Sequence, residues 1–140
     1  MRASSLDDII DKRKEYAKYR LERAKEEYDT SLVLFDSKHY RAANNRAYYS
    51  IFHGMRAVLA FDGFDSKKHS GIIAIFRKDY IKSGLFDEDL SDIIGAASEI
   101  RNASDYDDMY IATREETGEQ IEKAKIFLDA ISEYVNQKLT

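Results

Sequence analysis

The fold is decided by the stretch at residues 40–60, which reads YRAANNRAYYSIFHGMRAVLA. Its small and apolar residues recur at steps of three or four, the period that places them on one face of an α-helix. The members of this stripe are Ala43, Ala47, Ile51, Met55, Val58 and Leu59. Turn residues at 62–66 end the pattern. The spacing therefore predicts an amphipathic helix over residues 40–60 with one buried face.

Four further segments show the same helical period. They cover residues 5–35, 68–82, 87–103 and 113–139. The first is long enough to bend or break near residues 18–20, and Ser5 with Asp8 has the spacing of a capping box at its start. Its apolar stripe comprises Ala17, Leu21, Ala24, Tyr28, Leu32 and Phe35. No strand pattern occurs. Long amphipathic helices with short loops pack as antiparallel neighbours, so we predict an all-α, up-and-down bundle of four to five antiparallel helices in one domain, residues 1–140.

The last of these segments has the most regular pattern. Its inward positions alternate steps of four and three, as in a coiled-coil seam. They are Thr117, Ile121, Ala124, Leu128, Ile131 and Val135. The acidic segment before it, residues 102–112, is predicted to be irregular.

Composition excludes several classes of protein. The chain has no Cys, which rules out disulfides, thiolate nucleophiles and Cys-ligated metals. No apolar run approaches the roughly 20 residues that a membrane span needs. Residues 1–8 lack the apolar core of a signal peptide. We therefore expect a cytoplasmic protein without membrane contact.

Charge is distributed unevenly along the chain. Residues 37–82 carry nine Lys and Arg against three Asp, whereas residues 83–120 carry two Arg against eleven acidic residues. The basic segment could face a phosphate. The alternative is that the two segments are solvated helix faces that attract each other, within the protein or across an interface.

Metal and cofactor sites have no support in the sequence. None of the three histidines, His39, His53 and His69, is followed by a His or carboxylate at the third or fourth position, the spacing that places two ligands on one helical face. The glycine-rich loops that hold nucleotide phosphates are missing as well. We predict no metal and no cofactor.

One polar ridge on the second segment is a candidate binding surface. Asn45, Tyr49, His53 and Arg56 follow at steps of four, four and three, which places them on one helical face beside the apolar stripe. Such a ridge lines a cleft or an interface. The alternative is an exposed helix face with Tyr49 and His53 half-buried.

Arg101 is the most informative charged residue, because it lies one helical turn after Ala97 on the inward side. A buried arginine is unfavourable unless it is paired or faces a cavity. Two interpretations remain open. Arg101 pairs with Asp105 as a structural lock, or it points into a cleft where its planar guanidinium binds a phosphate.

Three motifs together resemble the HEPN domain family. Residues 40–53 are similar to its "A-x-x-R-A-Y-Y-A-x-F-H" helix, residues 68–73 with Phe76 to its next helix, and residues 101–106 to its late "R-x-x-A/S-D-Y" element. The resemblance covers about residues 18–135. It implies a five-helix bundle that forms a homodimer, often beside a minimal nucleotidyltransferase in toxin–antitoxin-like pairs.

Many HEPN domains are metal-independent ribonucleases, with a motif of Arg, a polar residue and then a His. Arg101 and Asn102 match the first two positions, but Tyr106 or Asp107 stands in place of the His. RNA cleavage needs a group that accepts a proton near neutral pH, and an ordinary Tyr has a pKa of about 10. The sequence leaves open whether folding brings His53 or His69 alongside Arg101.

Three functions follow as hypotheses. The favoured one is a dimeric module that binds RNA or a nucleotide, with a nucleotidyltransferase partner and without catalysis of its own. Its ligand would contact Asn45, Tyr49, His53, Arg56 and His69. The second is a ribonuclease toxin using Arg101, Asn102, Asp105 and Tyr106. The third is a purely structural dimer in which Arg101 and Asp105 form a fold element.

Overall fold

The computed structural model describes residues 2–140, with side chains from Ser5 onward, and shows a helical bundle. Its helices are α1 (Arg2–Asp36), α2 (Tyr40–Ala60), α3 (His69–Ile75), α4 (Asp89–Tyr106) and α5 (Arg114–Leu139). A six-residue π-helix, Phe76–Ile81, continues α3. No strand occurs within residues 2–140, so the prediction of an all-α bundle is confirmed.

Side-chain contacts show how the long helices run. α1 and α2 are antiparallel, because residues later in α1 meet residues earlier in α2. The contacting pairs are Arg20–His53, Ala24–Ser50 and Glu27–Arg46. A three-residue turn, with Lys38 at a φ of 66°, connects the two helices. Non-glycine residues rarely adopt this left-handed backbone.

α5 returns parallel to α2, and α4 runs antiparallel to it. Asn44 donates a buried hydrogen bond of 3.1 Å to Thr117 near the start of both α2 and α5. Ten residues later in α2, a Cβ atom at Gly54 would lie only 3.4 Å from Ile131, so glycine permits close contact there. The chain thus alternates direction through α1, α2, α4 and α5, with the shorter α3 at one end.

The core lies between α1, α2 and α5 and is closed at one end by α3 and the π-helix. All six residues of the predicted α2 stripe are buried, and so are the six inward positions predicted for α5. Phe76 and Phe127 are fully buried side chains that lie 5.8 Å apart between ring centroids. Burial of apolar area on this scale is the main force that stabilises a bundle.

The structure differs from the local expectations at four points. α1 begins at Arg2, so Ser5 lies inside the helix and does not cap it, and the helix continues unbroken through residues 18–20. Leu32, expected in the core, is 39% exposed. α4 extends to Tyr106, so the first part of the segment expected to be irregular is helical. Among the helices described, none is both long and apolar enough to span a membrane.

Candidate functional site

Arg101 lies on the α2-facing side of α4, above two adjacent tyrosines. Its guanidinium carbon is 5.1 Å from the centroid of the Tyr48 ring and 5.9 Å from that of Tyr49. Arg46 lies over Tyr49 as well, at 5.0 Å. Such cation–π contacts place an arginine without using its N–H donors.

The predicted pair between Arg101 and Asp105 is long. Arg101 Nε lies 3.7 Å from Asp105 Oδ2, which exceeds hydrogen-bond distance. Arg101 Nε is shielded from solvent and has no hydrogen-bond partner among the described residues. The Arg101 side chain is 24% exposed. A shielded donor without an acceptor is unfavourable.

His69, at the start of α3, meets the same pair of tyrosines from another side. Tyr48 Oη and His69 Nδ1 are 2.8 Å apart. The imidazole stacks on Phe52 with 4.0 Å between centroids, and meets Tyr49 edge-on at 5.7 Å. Arg101 and His69 therefore share the Tyr48–Tyr49 pair although 32 residues separate them in sequence. We call Arg101, His69, Tyr48 and Tyr49 the Arg101 site.

Burial and charge at the Arg101 site change its acid–base properties. Burial, and then the nearby Arg101 and Arg56, lower the pKa of His69. A lowered pKa keeps the imidazole neutral at neutral pH, the form that can accept a proton. Burial also raises the pKa of the Tyr48 phenol to about 12, against the opposing effect of Arg101. Tyr48 therefore stays protonated.

A cavity of about 410 Å³ opens beside the Arg101 site, between the start of α2 and the end of α4. Its lining residues include Asn45 and Asp105, two of the residues predicted for the site, together with His39 and Tyr40. On its wall, the Arg41 guanidinium donates to the backbone carbonyls of Ser104 and Asp107. Arg41 thereby connects the end of α4 to the start of α2 at the mouth of this cavity.

His53 and Arg56, also predicted to bind ligand, belong to a different cluster. Arg56 donates two hydrogen bonds to Asp65, of 2.8 Å from Nε and 2.7 Å from Nη2. Arg20 lies 3.0 Å from His53 Nδ1 and donates twice to Tyr16 Oη. The Tyr16 hydroxyl donates to Asp65 in turn, at 2.7 Å. We call Tyr16, Arg20, His53, Arg56 and Asp65 the His53 network.

The His53 network is closed by its own contacts. Burial, and then the positive charge of Arg20, lower the pKa of His53 to about 4. The pKa of Asp65 falls to about 2, because hydrogen bonds from Arg56 and Tyr16 outweigh the burial that opposes the shift. The structure thus gives His53 and Arg56 intramolecular partners that connect α1, α2 and the loop after α2.

Asn102 and Tyr106 are both exposed at the end of α4, and Tyr106 is 83% exposed. Neither makes a hydrogen bond to another side chain among the described residues. The sequence interpretation also missed Tyr48, the residue that joins Arg101 to His69. Its signals were its position next to Tyr49 in the second helix and its place in the family motif at residues 40–53.

Comparison with known proteins finds one family model and several similar proteins. The model of the HEPN domain family matches residues 17–134. Two proteins of Methanocaldococcus jannaschii, each named "Putative toxin", are 33% and 34% identical to this chain. The first match covers 84% of this chain and 80% of the relative, and the second covers 85% and 88%. A UPF0332 protein of Thermotoga maritima is 29% identical, over 90% of this chain and 96% of its own length.

Proposed function

The chain belongs to the HEPN domain family, and from this premise we propose that it is a toxin-like protein whose Arg101 site binds a phosphodiester of RNA. The toxin-like character rests on the names of the two relatives from Methanocaldococcus jannaschii. The choice of RNA rests on the chemistry of the site, taken with the nucleic-acid ligands that the family resemblance implies.

The observation that carries the proposal is the unpaired donor of Arg101. A guanidinium presents several N–H groups in one plane, which matches two oxygens of a phosphate. Arg101 Nε has no acceptor, and its nearest carboxylate, on Asp105, is 3.7 Å away. A phosphate oxygen that displaces the groups covering Nε would supply that acceptor and form a charge-assisted hydrogen bond.

The aromatic residues of the site favour a nucleic acid over a free anion. Tyr49 is partly exposed beside the guanidinium, and exposed aromatic faces are where unstacked bases of single-stranded RNA bind. Asn45, which lines the adjoining cavity, adds an amide that can donate to a base edge or a sugar hydroxyl. We therefore expect single-stranded RNA to bind better than a mononucleotide.

We further propose that the protein acts as a homodimer and pairs with a nucleotidyltransferase. The exposed end of α4 and the loop after it support a protein partner. This surface combines the apolar side chains of Met109 and Ile111, 85% and 80% exposed, with the carboxylates of Asp107 and Asp108. A surface that is both apolar and acidic suits a protein better than a polyanion.

Fluorescence anisotropy with a labelled single-stranded RNA of about 12 nucleotides tests RNA binding. Arg101→Ala should weaken affinity about 10- to 100-fold, the effect of losing a charge-assisted contact of about 1.5–3 kcal/mol. Lys125→Ala on α5 removes the same charge away from the site and should leave affinity within about twofold. Equal affinity of Arg101→Ala and the parent protein would refute the proposed site.

The partner proposal has its own test. The tagged protein is co-expressed with the product of the adjacent gene and purified by the tag. We expect a nucleotidyltransferase to be recovered, and Met109→Asp with Ile111→Asp should abolish its recovery. Recovery undiminished by these substitutions would place the interface elsewhere. Equilibrium sedimentation reports the homodimer, and a monomer at micromolar concentration would contradict that part of the proposal.

A further inference from the structure

An apolar groove lies between α1 and α5 and shares no lining residue with the Arg101 site. Its cavity has a volume of about 420 Å³. Side chains from both helices line it, and the apolar ones are Tyr28, Leu32, Phe35, Ile121 and Ile126. Leu32 and Ile126 are 39% and 57% exposed, so the groove is open to solvent. We call this feature the α1/α5 groove.

The dimensions of the α1/α5 groove suit a helix. Its walls run from Tyr28 to Phe35 on α1 and from Gly118 to Ile126 on α5, and at about 1.5 Å per residue each wall is about 10–12 Å long. Tyr28 faces Lys125 and Phe35 faces Gly118, so the two walls are antiparallel. A helix that binds along such walls contacts them with apolar residues at steps of three and four.

Gly118 leaves one wall of the groove without a side chain. A glycine inside a helix is less favourable than an alanine, because the unfolded chain loses more conformational freedom there. Packing does not require it, since a Cβ atom at Gly118 would lie 3.6 Å from the Phe35 ring, an ordinary contact distance. Neither the helix nor the core therefore accounts for this glycine, whereas an open groove does.

The rims of the α1/α5 groove are acidic, which indicates the kind of partner. The ridge of α5 that ends at Ile126 carries three carboxylates at helical steps of four and three, and they are Glu115, Glu119 and Glu122. On α1, Asp29 and Asp36 flank Leu32 in the same way. All five carboxylates are exposed. Among the described residues, none of the five forms an ion pair.

The basic side chains near the rims already have contacts of their own. Lys125 lies 2.6 Å from Asp129, and Lys25 pairs with Glu22 at 3.9 Å. The guanidinium of Arg114 lies over an aromatic ring of α1, at 4.9 Å. The rim carboxylates are thus available to a cation, and they would repel a nucleic acid.

We propose that the α1/α5 groove binds a basic amphipathic helix of a protein partner. An apolar strip between acidic rims is complementary to a helix whose apolar face is bordered by Lys or Arg. Such a contact is separate from RNA binding at Arg101, and it does not involve the surface at Met109 and Ile111.

A designed peptide tests the proposal. The probe is a fluorescein-labelled peptide of about 14 residues, with leucines at helical steps of three and four and lysines beside them. A second peptide has glutamate in place of every lysine. Fluorescence anisotropy should show that the lysine peptide binds the parent protein and that the glutamate peptide binds at least about tenfold more weakly, because like charges repel across an interface.

Two substitutions should block the groove in different ways. Ile126→Asp places a charge at the apolar contact, and Gly118→Leu fills the space beside Phe35. Each should weaken binding of the lysine peptide at least about tenfold. Leu85→Asp changes an apolar residue that is 58% exposed and outside the groove, so it serves as the matched control and should leave affinity within about twofold. Circular dichroism melting confirms that each variant is folded.

Charge reversal tests the chemistry of the partner separately. Glu119→Lys combined with Glu122→Lys makes the α5 rim basic. The lysine peptide should then bind at least about tenfold more weakly, and the glutamate peptide at least about tenfold more tightly, than to the parent protein. An unchanged preference between the two peptides would overturn the assignment to a basic partner.

Three other results would overturn the inference. The first is failure of the lysine peptide to bind the parent protein. The second is equal affinity of Ile126→Asp and the parent, which would place the contact elsewhere. The third is dissociation of a parent dimer by Ile126→Asp in equilibrium sedimentation, which would assign the groove to a second copy of this chain.

Discussion

Two arginine clusters involve residues of α2, and they differ in how many of their donors are used. In the His53 network, Arg56 makes two hydrogen bonds to Asp65 and one to Tyr16. In the Arg101 site, the guanidinium stacks on tyrosine rings, and its Nε has no acceptor. Both arginines contact aromatic rings, so proximity to an aromatic side chain does not distinguish them.

The difference separates a structural arginine from one that is available to a ligand. A guanidinium whose hydrogen bonds are all made within the chain would have to break them to bind a phosphate, whereas Arg101 gains an acceptor. The structural-dimer hypothesis invokes an Arg101–Asp105 pair, and the 3.7 Å between these groups makes it an ion pair that is longer than a hydrogen bond.

The largest effect on the free energy of unfolding should come from disrupting the His53 network. Arg56→Ala removes the arginine whose hydrogen bonds help to hold the pKa of Asp65 at about 2. Asp65 then keeps only the hydrogen bonds from Tyr16 and Ser66, and Tyr16 keeps only those from Arg20. We expect the free energy of unfolding to fall by about 2–4 kcal/mol, somewhat below the value for a fully buried pair because Asp65 is partly exposed. Urea denaturation at pH 7 measures it.

Arg56→Lys serves as the matched control, because it keeps the positive charge but loses the two-point contact with the carboxylate. It should restore about half of the stability that Arg56→Ala loses. RNA affinity of the folded Arg56→Ala protein should stay within about threefold. A large loss of affinity without a loss of stability would reverse the assignment of the two clusters.

A medium effect should appear as a pH dependence of stability. The pKa of His53 is lowered from 6.5 to about 4 by burial and by Arg20. The unfolded chain then binds the proton near pH 6.5, while the folded protein resists it until about pH 4. The contribution of His53 to stability is therefore complete above pH 6.5 and is lost as the pH falls towards 4, by about 1–3 kcal/mol.

His53→Asn provides the comparison, since the amide oxygen can still accept from Arg20 but does not titrate. The urea midpoint is measured for both proteins from pH 7 to pH 4. As the pH falls, the midpoint of the parent protein should decrease steadily relative to that of the variant. A constant difference over this range would show that His53 is not held neutral by its surroundings.

The smallest effect should be that of Arg101→Ala on stability. The variant loses two cation–π contacts, each worth about 0.5 kcal/mol at a partly exposed position, and a long pair that contributes little. We expect a change below about 1 kcal/mol in the same denaturation experiment. A loss of 3–5 kcal/mol would instead support the structural-dimer hypothesis.

Much of the bundle could be predicted from the sequence, because helical periodicity is a local property. The second segment was predicted at residues 40–60, and α2 spans Tyr40–Ala60. Leu32 was assigned to the core on spacing alone, and it is exposed because the groove between α1 and α5 remains open at that level. Ser5 has the spacing of a cap, yet the helix already begins at Arg2.

The site was less predictable, because its members come from different helices. The ridge Asn45, Tyr49, His53 and Arg56 is one face of one helix, but the structure divides it. Asn45 lines the cavity beside Arg101, Tyr49 packs against Arg101, and His53 and Arg56 join the His53 network. The partners that cause this division, on α1 and in the loop at Asp65, are distant in sequence.

By itself, the sequence determined the helices, their buried faces and the family, because these depend on residue type and on spacing within a few turns. Only the tertiary structure decided which arginine has a shielded Nε without an acceptor and which histidine shares its tyrosine contacts. Arg101 meets His69 through Tyr48, three residues on three helices that only packing brings together. Whether a polar group has a hydrogen-bond partner depends on residues that are distant in sequence, and a local sequence pattern does not reveal them.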